Sequence, residues 1–171
     1  SSAASDVYKR QGLPFLKNLT PPAGSKTVEE LREIIEMVDV PFIIKGIMTA
    51  KGALKAKEAG ASAIVVSNHG GRVLDGCPAT AEVLEEISDA VNGSMKIFVD
   101  GGIRSGADVF RALALGADGV IIARPFVTAV YGGAEEGVYS YIDKIGAELN
   151  DTMKMCGVSR LSEITRDCVR R

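Results

Sequence analysis

Several things are scarce in this 171-residue chain, and each scarcity removes a class of protein. There is no surplus of base, since 20 Lys and Arg stand against 22 Asp and Glu for a formal net charge of −2. Neutralising nucleic-acid phosphates needs such a surplus, so a nucleic-acid binder living on electrostatics is excluded. No apolar run approaches the roughly 18–20 residues of a membrane helix, and no secretory h-region is present. Cysteine is sparse and odd in number (Cys77, Cys156, Cys168), without Cys-x-x-Cys spacing. That disfavours both a disulfide framework and a zinc site, and no metal is expected. Histidine occurs once, at position 69. What remains is ordinary: hydrophobic residues make up 46% of the chain, enough for a core and too many for disorder. The length suits one domain or part of one. A soluble, intracellular, cytoplasmic protein is the expectation.

Residues 1–11 (SSAASDVYKRQ) are small and polar, with no helical or strand period. They read as a translated sequencing-adapter scar or a flexible natural tail, set apart from the folded region 12–171. Beyond them strand and helix alternate. Thr27-Val-Glu-Glu30 is a capping box, followed at helical spacing by Val28, Leu31, Ile35 and Val38, with Val40-Pro41 as the stop. Phe42-Ile43-Ile44 is a short buried run. A second helix runs over about 49–59 to Gly60, and Ala63-Ile64-Val65-Val66 is the next strand. Thr80 is expected to cap a third helix with the face Val83, Leu84, Ile87 and Val91, closed by Asn92-Gly93. Lys96-Ile97-Phe98-Val99 is the third strand. Ser105, with Asp108 three residues on, opens a fourth helix ending at Gly116, and Val120-Ile121-Ile122 is the fourth strand. A long amphipathic helix then carries Val138, Tyr141, Ile142, Ile145, Leu149 and Met153.

The strands are continuous apolar runs, as expected where helices cover both faces, and their alternation with helices implies a parallel α/β sheet. There is also an internal echo: 46–67 aligns without gaps on 102–123, each reading Gly-Ile, a helix ending in Gly-Ala, then an apolar strand. Two units on one plan suit a barrel or a doubly wound sheet, and periodicity does not choose between them.

In parallel α/β folds chemistry gathers at the carboxyl ends of strands. Here those ends carry Lys45, then Ser67-Asn68-His69-Gly70-Gly71-Arg72, then Asp100-Gly101-Gly102-Ile103-Arg104, then Ala123-Arg124. Asp100 to Gly106 is glycine-rich and leads into a helix N-terminus. Backbone N–H groups, the helix end and the Arg104 fork would suit a phosphate, with Arg124 one strand along; the plainer reading is a glycine turn with exposed arginines. A lone histidine is more often a cap or a solvated side chain than a catalyst. His69, though, sits between a strand end and Gly70-Gly71 with Arg72 three residues on. An imidazole that takes a proton and a guanidinium that clamps a carboxylate are what oxidation of a 2-hydroxy acid needs. Lys45 is either a snorkelling surface lysine or an ammonium that offsets charge developing on a cofactor. Asp75 either orients Arg72 or is a solvated loop acid.

These strings resemble the FMN-dependent 2-hydroxy-acid oxidase and dehydrogenase family, which includes glycolate oxidase, lactate oxidase and the flavin L-lactate dehydrogenases. The likeness runs from about Pro41 to Val169 and is most specific in Ser67-Asn68-His69-Gly70-Gly71-Arg72. The resemblance implies a TIM (β/α)8 barrel of which this chain holds strands 5 to 8, the C-terminal half, with FMN at the carboxyl rim. It implies Lys45 near flavin N1 and C2=O and Ser67 touching the flavin. His69 would be the active-site base and Arg72 the substrate carboxylate clamp. Asp100, Gly101, Gly102, Ile103 and Arg104, with Ala123 and Arg124, would hold the ribityl chain and phosphate. The substrate would be a small (S)-2-hydroxy acid oxidised to its 2-oxo acid, and a separate electron acceptor (oxygen, quinone or cytochrome) would reoxidise the flavin. The full-length form is expected to be a homo-oligomer. Ala123 departs from the glycine usual in the family, and its methyl is expected to crowd the phosphate. Because a closed barrel takes about 250 residues, the polypeptide alone is expected to lack activity and bind FMN weakly. The alternatives are a self-associating, non-catalytic half-barrel that binds phosphate, and another flavin or phosphate barrel enzyme such as an isomerase.

Overall fold

The computed structural model describes residues 26–170; the leader expected at 1–11 lies outside them. Helix α1 (Val28–Glu36) begins at Thr27, whose hydroxyl accepts the Glu30 N–H while the Glu30 carboxylate accepts that of Thr27. It stops two residues before Val38, which lies outside the apolar face and is exposed. Strand β1 (Ile43–Ile47), helix α2 (Ala50–Glu58) and strand β2 (Ala63–Val66) follow. Helix α3 (Thr80–Val91), strand β3 (Lys96–Asp100), helix α4 (Gly106–Ala114) and strand β4 (Gly119–Ile121) complete the repeating part. The run Arg124–Met155 (α5) is two helical segments divided by non-helical backbone at Gly133 and Ala134. Its first segment was not foreseen; only the second has the amphipathic period.

All four strands are parallel, in the order β1-β2-β3-β4. The internal echo is structural. α2 and α4, and β2 and β4, start at positions displaced by the same interval, with Thr49 and Ser105 as equivalent N-caps. Gly60 and Gly116 close the two helices at φ +95 and +103, a region that costs most side chains steric energy.

β2 is buried along its whole length, as a central strand covered on both sides must be, while β1 and β4 are partly exposed. Ile44, Ile64, Val66, Ile97 and Val99 meet Ala53, Leu84, Ile87 and Val91 of the helices in one core. Alternation then sends every second strand residue to the opposite face. Lys45, Val65, Phe98 and Gly119 form one register row there, and Ser67 and Asp100 stand one pleat further along. A bulge between Lys45 and Ile47, at Gly46 (φ +97), shifts the register beside that row. A second cluster of Phe110, Ala114, Met153 and Ile164 fixes α5 and the C-terminal segment onto α4.

Candidate functional site

The rim at the carboxyl ends of the strands encloses a pocket of about 210 Å³. Every residue of the expected constellation except Ser67 lines it: Lys45, His69, Arg72, Asp100 to Arg104, Ala123 and Arg124. Ser67 lies just beneath, 1% exposed, and its hydroxyl oxygen accepts from Lys45 Nζ at 2.6 Å and from the His69 N–H at 3.1 Å. Lys45 is within β1 rather than after it, and Asp100 ends β3, so strand pleating aims both inward. The Lys45 ammonium pairs with Asp100 Oδ2. The snorkelling alternative fails, because the lysine is held inside by Ser67 and Asp100.

After Ser67 the chain turns through three consecutive left-handed residues, His69 (φ 57), Gly70 (φ 67) and Gly71 (φ 72). Glycine adopts that region freely, but histidine does so uncommonly, and such strain tends to collect at functional sites. The turn sets the half-buried His69 ring beside Arg72, with Nη2 3.3 Å from Nε2. A guanidinium only donates, so in this contact Nε2 is the acceptor. The Arg124 guanidinium lies over the same turn at Gly70. Asp75 does not orient Arg72; it is exposed, and its carboxylate accepts the N–H of Gly76 within its own loop.

The glycine turn differs from expectation in one respect. Asp108 accepts the N–H groups of Arg104 and Ser105, each at 3.1 Å, and Glu148 accepts that of Gly106 at 2.8 Å. The hydroxyl of Ser105 accepts that of Asp108. The N–H groups of Arg104, Ser105, Gly106 and Asp108, at the start of α4, are thus taken by the protein's own side chains. What faces the pocket is the backbone of Gly101 to Ile103, with Gly101 and Gly102 at φ +87 and +83, and the Arg104 and Arg124 side chains. The Asp108 carboxyl is held below its usual pKa: burial opposes the shift, but the Ser105 hydroxyl and the Arg104 and Ser105 N–H groups outweigh it. Glu148 is likewise lowered, first by its bond to Lys144 and then by Gly106.

Four residues of this architecture were missed. Thr80 was expected as the α3 cap; Ala79 holds that position, and the buried Thr80 hydroxyl instead donates to the Asp100 carbonyl at 2.8 Å. Asn68 bridges two loops, donating to the Pro78 carbonyl and accepting from Gly71. Tyr141 donates to the Arg104 carbonyl at 3.1 Å and meets Phe126 edge-on at 5.0 Å, and burial raises its phenol. Glu148 comes from more than forty positions along the chain, with no local signal. Only Asn68 carried one, as an Asx-type residue opening a glycine turn. Ala123 has an unexceptional negative φ of −116, so the backbone there does not call for glycine.

Comparison with known proteins decides the family. The model of the FMN-dependent dehydrogenases matches residues 9–171. The chain belongs to that family. It is 48% identical over 145 residues to the peroxisomal (S)-2-hydroxyacid oxidase GLO3 of Arabidopsis thaliana, covering 85% of this chain and 39% of the relative. It is 45% identical over 150 residues to an L-lactate dehydrogenase of Stenotrophomonas maltophilia, covering 88% and 39%. Among solved structures, mandelate oxidase with 3,3-difluoro-2-hydroxy-3-phenylpropionic acid superposes with a TM-score of 0.80 at 40% identity, covering 84% of this chain and 43% of that one. The chain therefore spans about two fifths of the length of the relatives it matches. Its four β/α units are the C-terminal half, strands 5 to 8, of a (β/α)8 barrel.

FMN is the cofactor of this family, and a mandelate oxidase variant has been solved with a monooxide FMN adduct. The pocket of this member of the family fits the cofactor on three counts. Two guanidinium groups flank a glycine turn able to approach a phosphate. Asp100 Oδ1 is buried with no hydrogen-bond partner among the described residues, an acceptor that a ribityl hydroxyl would satisfy. An ammonium stands at the inner wall, where negative ring charge would be offset. Among the described residues, no helix is long and apolar enough to cross a membrane.

Proposed function

We propose that this chain supplies the proton-transferring and phosphate-holding half of an FMN-dependent (S)-2-hydroxy-acid oxidase or dehydrogenase. The observation that carries the reading is the His69–Arg72 contact at 3.3 Å, in a pocket that Lys45 and the glycine turn also line. Oxidising a 2-hydroxy acid to its 2-oxo acid removes two electrons and two protons. FMN, when bound, supplies the two-electron acceptor. Asp100, Gly101, Gly102, Ile103 and Arg104 would hold its ribityl phosphate end together with Ala123 and Arg124, and Ser67 and Lys45 would contact the ring.

The resting contact gives the two substrate-facing residues a division of labour. Arg72 donates to His69 Nε2 until a carboxylate offers a bidentate partner, which a guanidinium prefers. Substrate binding would draw Arg72 onto the carboxylate and leave Nε2 positioned to take a substrate proton. The Lys45 ammonium, fixed by Ser67 and Asp100, would stabilise negative charge without reorganising. The electron acceptor is a separate molecule. We take the full-length form to be a homo-oligomer, a reading supported by the exposed Val127, Val130 and Tyr131 on the first segment of α5. Plant relatives are named as peroxisomal, and the chemistry holds in that compartment as in the cytoplasm.

The test is anaerobic mixing of the purified full-length parent with lactate, glycolate and mandelate while flavin absorbance is followed. Bleaching by at least one acid is expected, with His69→Asn slowing it by about 10²–10⁴. A flavin-loaded parent that no 2-hydroxy acid reduces would overturn the assignment.

A further inference from the structure

Asn68 lies where three parts of the site meet. It follows β2, caps the left-handed turn through its Oδ1, which accepts the Gly71 N–H at 3.1 Å, and is itself in an ordinary conformation (φ −99, ψ 18). Its Nδ2 donates to the Pro78 carbonyl at 3.1 Å. That second bond closes the 72–77 loop, which leaves the turn at Arg72 and returns toward α3. The amide also stands over the glycine turn, since a β-carbon at Gly101 would be 3.6 Å from Asn68 Oδ1 and 3.5 Å from the Thr80 hydroxyl. Among the described residues, Arg72, Leu74, Asp75 and Gly76 of the loop are exposed, and its other side-chain bonds are the Arg72–His69 contact and the local Asp75–Gly76 one. Little else fixes the backbone that carries the guanidinium.

The two ends of the amide therefore do different work. The acceptor shapes the turn that holds His69; the donor ties down the far end of the loop that carries Arg72. We propose that Asn68 is a positioning residue for the carboxylate clamp: its Nδ2–Pro78 bond holds the 72–77 loop so that Arg72 faces the pocket, with the flavin-holding turn unaffected. This rests on the reading of Arg72 given above.

Two substitutions isolate the donor. Asn68→Asp and Asn68→Ser each keep an oxygen able to accept from Gly71, and neither reaches Pro78 with a suitable donor. Of the two, serine adds no charge beside Arg72. In the full-length FMN-loaded parent, KM for the 2-hydroxy acid should rise about fivefold or more while kcat and FMN affinity stay within about twofold. Trypsin should cut after Arg72 several-fold faster in both variants, because the loop is no longer tethered. If either variant matches the wild type in KM or in cleavage, the proposal falls. Should the wild-type parent prove inert toward 2-hydroxy acids, the functional reading fails by itself, and the cleavage comparison alone decides whether Asn68 staples the loop.

Discussion

The Arg124 guanidinium rests against the backbone of Gly70, so close that a β-carbon there would stand 3.1 Å from Nη2. Gly70 also needs its left-handed φ of +67. Gly70→Ala should therefore cost about 1 kcal/mol in strain and push Arg124 off the turn. Urea denaturation reads the first effect. Phosphate or FMN titration of the full-length parent reads the second, and unchanged affinity would show that Arg124 keeps its place by other contacts.

Lys45 and Asp100 pair with side chains only 23% and 16% exposed. Removing the ammonium by Lys45→Met leaves a largely buried carboxylate whose other oxygen already lacks a partner among the described residues. A loss of about 2 kcal/mol is expected, below the range for fully buried pairs because some solvent reaches these groups. Adding Asp100→Asn should recover part of it in a double-mutant cycle. Additive losses would mean the pair contributes nothing as a pair.

Glu163 holds the C-terminal segment in shape. The backbone N–H of Ser159 and the Arg160 guanidinium and N–H lower its carboxyl from 4.5 to about 2. A folded pKa below the unfolded one adds stability at pH values above the unfolded pKa, and that stability is lost as pH falls from 4.5 toward 2. The Tm gap between wild type and Glu163→Gln should be widest above pH 4.5 and close through that window. A gap that stays flat there would remove Glu163 from the acid response.

Gly106 lets α5 touch the start of α4. A β-carbon would overlap the backbone of Glu148 and Leu149 and stand 2.6 Å from the Ile145 carbonyl oxygen. These are backbone atoms, which cannot turn aside as a side chain would. Gly106→Ala should lower stability by about 3 kcal/mol in chemical denaturation. A loss under about 1 kcal/mol would mean the two helices slide apart freely.

The described residues contribute four strands, with Ile43 and Ile121 exposed on the outer strands β1 and β4. A closed barrel takes eight. The 171-residue polypeptide, purified alone, should show no turnover of lactate or glycolate and only weak FMN binding. Stoichiometric yellow flavin with turnover would contradict this.

Much of the fold was legible because it rests on short-range rules. The bounds of β2 follow from an uninterrupted apolar run, and Ser105 and Asp108 cap α4 as their spacing requires. The rim residues converge because parallel topology gathers strand ends, which the order of elements already implies. Long-range competition was not legible. Thr80 is a sound cap in isolation, but the Asp100 carbonyl claims its hydroxyl. Glu148 reaches Gly106 only because α5 folds back over α4. The helix before the break at Gly133–Ala134 lacks the apolar period that would have announced it.

The carboxylates seated at the start of α4 have a practical corollary for redesign. With Asp108 on the Arg104 and Ser105 amides before it and Glu148 on its first amide, at Gly106, lengthening or recharging that helix would leave anion preference much as it is. Leverage lies with the flexible arginines at the solvent-facing lip, so affinity there should fade as ionic strength climbs, and retargeting the cradle to another anionic tail means rebuilding the lip rather than the helix.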